Sequence, residues 1–153
     1  MKLTKELAEL IGFWKMRRTR KGVGVIGDLK IQEKFVKKVL ELKLVPPEKI
    51  IADKKAVWFS HIKIKNFFEK TIKNQAEIFD RRNNLSAAYL RGMYESTGEG
   101  PVIRKASLQD QLLIERLGFT TKNKGSTVLI RDFDSFKNFI YPEKKDNESK
   151  VSE

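Results

Sequence analysis

Residues 15–21, KMRRTRK, put five positive charges and no acid into seven positions. A run of this kind neutralises phosphate oxygens and fixes how a polyanion lies on the protein. More cations fall where strands and turns are expected: Lys54 and Lys55, Arg104 and Lys105, Lys122 and Lys124, and Arg131. With Arg17, Arg18, Arg20 and Lys21 they make up the candidate DNA-binding set. Arg17, Arg104 and Arg131 are the candidates for base reading, because a guanidinium bonds two acceptors of a base edge at once. The helix lysines Lys37, Lys38 and Lys73 are assigned to outward faces. A net charge of +12 and an isoelectric point near 9.9 favour a polyanionic partner. Nucleic acid is the first choice and an anionic membrane surface the second; charge serving solubility alone is the bland alternative.

Other chemistries lack their residues. The chain has no cysteine, so disulfides, thiolate metal sites and cysteine nucleophiles are out of reach. Its one histidine, His61, has no second histidine with which to hold a metal or build a serine triad, and reads as structural. Trp14 reads as core, and either Trp58 or Phe59 faces outward. No cofactor is expected. The start, MKLTKELAEL, lacks the apolar centre of a secretory leader. No apolar run approaches the roughly 20 residues of a membrane helix. A soluble, cytoplasmic protein is expected. Lysines outnumber arginines 23 to 9 with acids interspersed, a composition associated with high working temperature.

The elements that must position these residues follow from periodicity and caps. The 153 residues suit one compact domain, and 40% hydrophobic content with ten Phe can build a core. Thr4 caps a helix over 4–15. Val23, Val25 and the pair Gly27-Asp28 predict a hairpin. A helix over 31–43 carries Ile31, Phe35, Val39 and Leu42 on one face and is ended by Pro46-Pro47. A second hairpin turns at residues 53–55. A long helix over 62–79 is lined by Ile64, Phe68, Ile72 and Ala76. Next come a helix over 85–95, a short strand in PVIRKA, and a helix over 107–117 with Ser107 as N-cap and Gly118 after its end. A hairpin turning at 123–126 and a closing helix capped by Asp132 complete the order. Residues 142–153 are almost free of apolar side chains and read as a disordered charged tail.

The order occurs twice, and three blocks match. Ala8, Leu10, Gly12 and Trp14 meet Ala88, Leu90, Gly92 and Tyr94 at an offset of 80. Gln32 meets Gln109 at an offset of 77, and Asn66 meets Asn138 at 72. Three matched blocks in one order argue for a duplication, with repeats over 1–80 and 81–141, and hence for a pseudo-dimer in one chain. Ala and Gly at i and i+4 clear one helix face of bulk, so two such helices can meet backbone to backbone. Ala8, Gly12, Ala88 and Gly92 are therefore the expected seam.

LAELIGFWKMRRT and AAYLRGMYESTG resemble the two signature helices of the LAGLIDADG proteins, which include homing endonucleases, intron maturases and DNA-binding regulators. The resemblance covers about residues 4–140. It implies an α+β fold of two αββαββα repeats about a pseudo-two-fold axis, with antiparallel sheets forming a saddle over duplex DNA. It also implies where a catalytic acid belongs: five positions after the central glycine, one from each half, holding the divalent metals of phosphodiester cleavage. Here those positions hold Arg17 and Thr97, and neither replaces a carboxylate. Three positions after the glycines stand Lys15 and Glu95. Glu99, between Gly98 and Gly100, imitates the usual ending only if the helix end slips by two residues.

The resulting expectation is a catalytically inactive, monomeric LAGLIDADG-like protein that binds double-stranded DNA as a transcription or chromosome-associated factor. The alternatives are an RNA-binding module of the maturase kind, a residual metal-dependent endonuclease using Glu99, and a protein-interaction scaffold.

Overall fold

The computed structural model describes residues 1–142 of the chain, so the expected tail from 143 onward lies outside the described residues. The fold is mixed α+β, with seven α-helices and two antiparallel sheets among the described residues.

In the first half, helix α1 (Lys5–Lys15) is capped by Thr4, whose hydroxyl accepts from the Leu7 amide. Strand β1 (Val23–Ile26) follows, then helix α2 (Leu29–Glu41), strands β2 (Ile51–Ala52) and β3 (Ala56–Phe59), and helix α3 (Ile62–Lys73). A short helix α4 (Gln75–Ile78) leads into the second half. There, helix α5 (Asn84–Thr97) precedes β4 (Gly98–Glu99), β5 (Val102–Ile103), α6 (Leu108–Arg116), β6 (Thr121–Lys124), β7 (Thr127–Ile130) and α7 (Phe133–Ile140).

The sheet orders are β1-β3-β2 and β4-β5-β7-β6. Residues 17–19 extend the first sheet beside β1. Arg18 bridges to Val25, the Ile26 amide donates to the Arg17 carbonyl at 2.7 Å, and the Thr19 amide donates to the Gly24 carbonyl at 3.1 Å. This corrects the expected first hairpin, which turns at 20–22 and not at Gly27-Asp28. Asp28 instead caps α2 by accepting from the Ile31 amide, a bond that draws the pair into a helix start.

The long helix expected over 62–79 breaks at Asn74. The break rotates the apolar stripe, so Gln75 and Phe79 are buried while Ala76 is exposed. His61 caps α3, its Nδ1 accepting from the Ile64 amide at 3.2 Å. Ser107 and Asp110 form a reciprocal capping box on α6, and Gly118 supplies the positive φ of +98° that ends it.

One face of each sheet is packed beneath helices. Val23, Val25, Val57 and Phe59 lie on the buried face of the first sheet with Phe35, Trp14 and Phe68 in the same core; Ile103, Val128 and Ile130 do the same in the second with Phe119 and Phe136. Each such large side chain contributes about 2 kcal/mol through removal from water. Trp14 meets Phe68 edge-on with ring centroids 5.4 Å apart.

Candidate nucleic-acid interface

The central feature is the contact between α1 and α5. A Cβ placed on Gly12 would overlap the Tyr89 carbonyl oxygen and stand 3.2 Å from the Met93 amide nitrogen. A Cβ on Gly92 would overlap the Glu9 carbonyl oxygen and stand 2.8 Å from the Phe13 amide nitrogen. Residues 89 and 93 are the counterparts of 9 and 13 at the offset of 80, so the two approaches are reciprocal. Ala8 and Ala88 are fully buried nearby.

Polar side chains flank this contact on two sides. On one, Lys15 pairs with Asp110 of α6 and donates to Gln75 at 3.3 Å; Tyr89 donates to the same Gln75 oxygen at 2.5 Å. Burial opposes charge on Asp110, but the Lys15 ammonium outweighs it and holds the carboxyl below its ordinary range. On the other, Glu9 accepts from Lys38 at 3.0 Å and from Arg91 at 3.3 Å, and Glu95 lies 3.8 Å from the same Lys38. Lys38 thus turns inward, against the expectation of an outward lysine, because two facing carboxylates draw it there. Glu95 Oε1 is a buried oxygen with no hydrogen-bond partner among the described residues, and burial, with Glu9 beside it, raises the Glu95 carboxyl above its ordinary range. Neither Lys38 nor Glu9 carried a motif signal; only the register of α1 on α2 brings them together.

Arg17 and Thr97, where the resemblance would place acids, lie at the C-terminal ends of these helices. Arg17 Nε donates to the Ser96 carbonyl at 2.6 Å and its Nη1 to the Ile26 carbonyl at 3.2 Å. Two of its guanidinium nitrogens, Nε and Nη1, thus donate to protein carbonyls, while the half-buried side chain, a candidate for base reading, lines the cavity at this end. Thr97 is buried, with no partner for its hydroxyl among the described residues. Glu99 stays on the exposed β4 hairpin, paired with Arg104 at 2.7 Å. Among the described residues no three Asp, Glu, His or Cys side chains gather as a metal ion would require. A cavity of about 370 Å³ opens here between the halves, lined by cations such as Arg17, Lys34 and Arg104 and by the acids Asp28, Glu95 and Glu99.

Strand alternation assigns the remaining cations to faces. In the second sheet Ile103, Val128 and Ile130 are buried, so Val102, Leu129, Lys122 and Lys124 point the other way, as do Arg104 and Arg131 by continuing the alternation. Arg104, Lys122, Lys124 and Arg131 are all exposed. Lys105 stands at the following bend with φ of +59°.

The first sheet differs. Arg18 pairs across from buried Val25, so its side chain lies on the helix side, 4.1 Å from the Trp14 ring and 2.9 Å from Glu69. Arg18, one of the candidate DNA-binding residues, thus lies on the opposite side of the first sheet from Ile26 and is exposed there. Lys21 lies 4.6 Å from the Trp58 ring and is held by Asp53 at 2.7 Å. Arg20, Lys54 and Lys55 are exposed at the turns. The outer face between them carries Ile26, Ile51 and Trp58.

No protein-family model, curated protein or solved structure matches the chain. No helix among the described residues is long and apolar enough to cross a membrane.

Proposed function

We propose that the chain is a LAGLIDADG-like protein that binds double-stranded DNA through its sheets and does not cut it. Three observations support the reading. Each half runs through the same order of helices and strand segments, and the sheet order (17–19)-β1-β3-β2 parallels β4-β5-β7-β6. The Gly12 and Gly92 approaches are reciprocal, as a pseudo-two-fold axis between duplicated halves requires. The observation that carries the function is the third: Arg104, Lys122, Lys124 and Arg131 share one exposed face of a sheet. Cations gathered on one sheet face are the groups that neutralise duplex phosphates and set orientation, Arg104 among them being paired with Glu99.

The reaction of the active LAGLIDADG endonucleases needs a carboxylate from each half. Arg17 puts a committed cation at one such position and Thr97 a neutral hydroxyl at the other, so the pair has no charge with which to place a divalent metal. On this reading the protein acts as a monomeric regulator or chromosome-associated factor in the cytoplasm.

The deciding experiment measures anisotropy of a labelled duplex against salt concentration. The wild-type protein should show a steep linear fall of log affinity with log salt. The variant Arg104→Ala/Lys122→Ala/Lys124→Ala/Arg131→Ala should lose about 0.9 of that slope for each phosphate contact removed. A flat salt dependence, or equal competition by folded RNA, defeats the duplex reading. Nicking of plasmid in Mg²⁺ or Mn²⁺ defeats the inactive assignment.

A further inference from the structure

The outer faces of the two sheets are chemically unlike, although their strand orders correspond. The second presents Arg104, Lys122, Lys124 and Arg131. The first presents Ile26, 48% exposed, and Ile51, 52% exposed, with Trp58 between the strands that carry them. Its free cations, Arg20, Lys54 and Lys55, stand at the turns at the two ends of the strands. The face thus carries two exposed isoleucines on either side of an indole that the Lys21–Asp53 pair covers, with further cations at its rim. Such a surface complements a partner with negative edges and an apolar group between them.

Resting on the duplex-binding reading above, we infer that Ile26 and Ile51 recognise the 5-methyl groups of thymine in the half of the site that the first sheet covers. The rim cations take the phosphates. The isoleucines have no donor or acceptor to offer a base edge, so over a G·C pair they would strip water from polar groups and return nothing. The thymine methyl is the apolar group of the major-groove edge, and an A·T-rich half-site is the one this face accepts without that loss. Base stacking, the mark of single-strand binding, is not served here: Lys21 lies over the Trp58 ring and is tied down by Asp53, so the indole face is already covered.

The test removes the methyl groups and nothing else. A randomised 30-base-pair duplex pool is made once with thymine and once with uracil, which keeps every hydrogen bond and phosphate. The wild-type protein should prefer the thymine pool by about fourfold for each methyl group buried. Ile26→Ser/Ile51→Ser should bind both pools alike while keeping the wild-type salt slope, because these side chains are exposed and uncharged. Equal wild-type binding to the two pools overturns the inference and leaves duplex binding standing. Binding to neither pool overturns both. A wild-type dimer in sedimentation that Ile26→Ser/Ile51→Ser dissolves would assign the face to a second copy of the chain, and the inference would fall.

Discussion

Arg17 Nε donates to the carbonyl of Ser96 at 2.6 Å, from the end of one seam helix to the last turn of the other. The bond places a cation where the carbonyl ends of α5 concentrate negative potential. Arg17→Ala should therefore lower unfolding free energy by about 2 kcal/mol, the scale of a charged hydrogen bond to a half-buried partner. The salt slope of duplex binding should stay unchanged, since this guanidinium is already spoken for. A stable Arg17→Ala variant with a reduced slope would return Arg17 to the DNA surface.

Glycine in a helix interior ordinarily costs about 1 kcal/mol relative to alanine. At Gly92 the sign should reverse. An added methyl would meet the backbone of Glu9 and Phe13, which cannot rotate away. Gly92→Ala should cost about 3 kcal/mol or more in urea unfolding, and Gly12→Ala a similar amount. Stabilisation by either would mean that α1 and α5 do not meet closely in solution.

The Glu9–Glu95 pair predicts a pH dependence with two limbs. Burial and the hydrogen bond with Glu9 raise Glu95 above its ordinary 4.5. Its folded value exceeds its unfolded one, so its contribution is full below about pH 4.5 and declines as pH rises through the elevated value. For Glu9 burial works against ionisation, but hydrogen bonds from Glu95 and Arg91 and the Lys38 charge hold it at about 2. Its contribution is present above 4.5 and is lost as pH falls toward 2. Lys34, Lys38, Arg91 and Tyr141 are the other charged or titratable groups around the pair, and burial together with the Glu95 charge pushes Tyr141 up to about 12. Glu95→Gln keeps a donor for Glu9 and should flatten the alkaline limb alone. Stability measured by chemical unfolding from pH 4 to 9 reads this, and an unchanged profile rejects the raised Glu95 carboxyl.

Lys15 and Asp110 form a buried ion pair with Gln75 bridging it. Lys15→Met should cost about 3–5 kcal/mol by leaving the carboxylate unpaired. Adding Asp110→Asn should recover only part of that loss: the charge is gone, but the amide nitrogen then faces a donor, since one carboxylate oxygen accepts from the Ser107 amide and the other from Gln75. Thermal unfolding of the single and double variants separates the ion pair from simple packing.

Helix starts were legible because a cap is a local event. Thr4, Ser107 and Asp132 each accept from an amide three residues on, a bond that neighbouring residues decide by themselves. The small residues of α1 and α5 were legible because the same Ala/Gly spacing occurs in both halves. The faces of the first sheet were not. Arg17, Arg18, Arg20 and Lys21 look alike in sequence, yet strand parity sends Arg18 beneath the sheet, and only the 20–22 turn sets that parity. Asp28 was ambiguous because one carboxylate can close a turn or open a helix. Lys38 turned inward because of Glu9 and Glu95, which lie far from it along the chain.

The reciprocity at Gly12 and Gly92 reaches beyond this chain. Position 9 of one seam helix faces position 15 of the other: Glu9 meets Glu95, and Tyr89 shares Gln75 with Lys15. Two copies of the first half joined in the same way would set Glu9 against Lys15 on both sides, replacing the Glu9–Glu95 carboxyl pair with two oppositely charged pairs. Proteolysis in the exposed link at 80–83 should therefore release a fragment that mates with its own kind, and the mass of that fragment in solution reads the outcome. The link between α4 and α5 is then what keeps the molecule asymmetric.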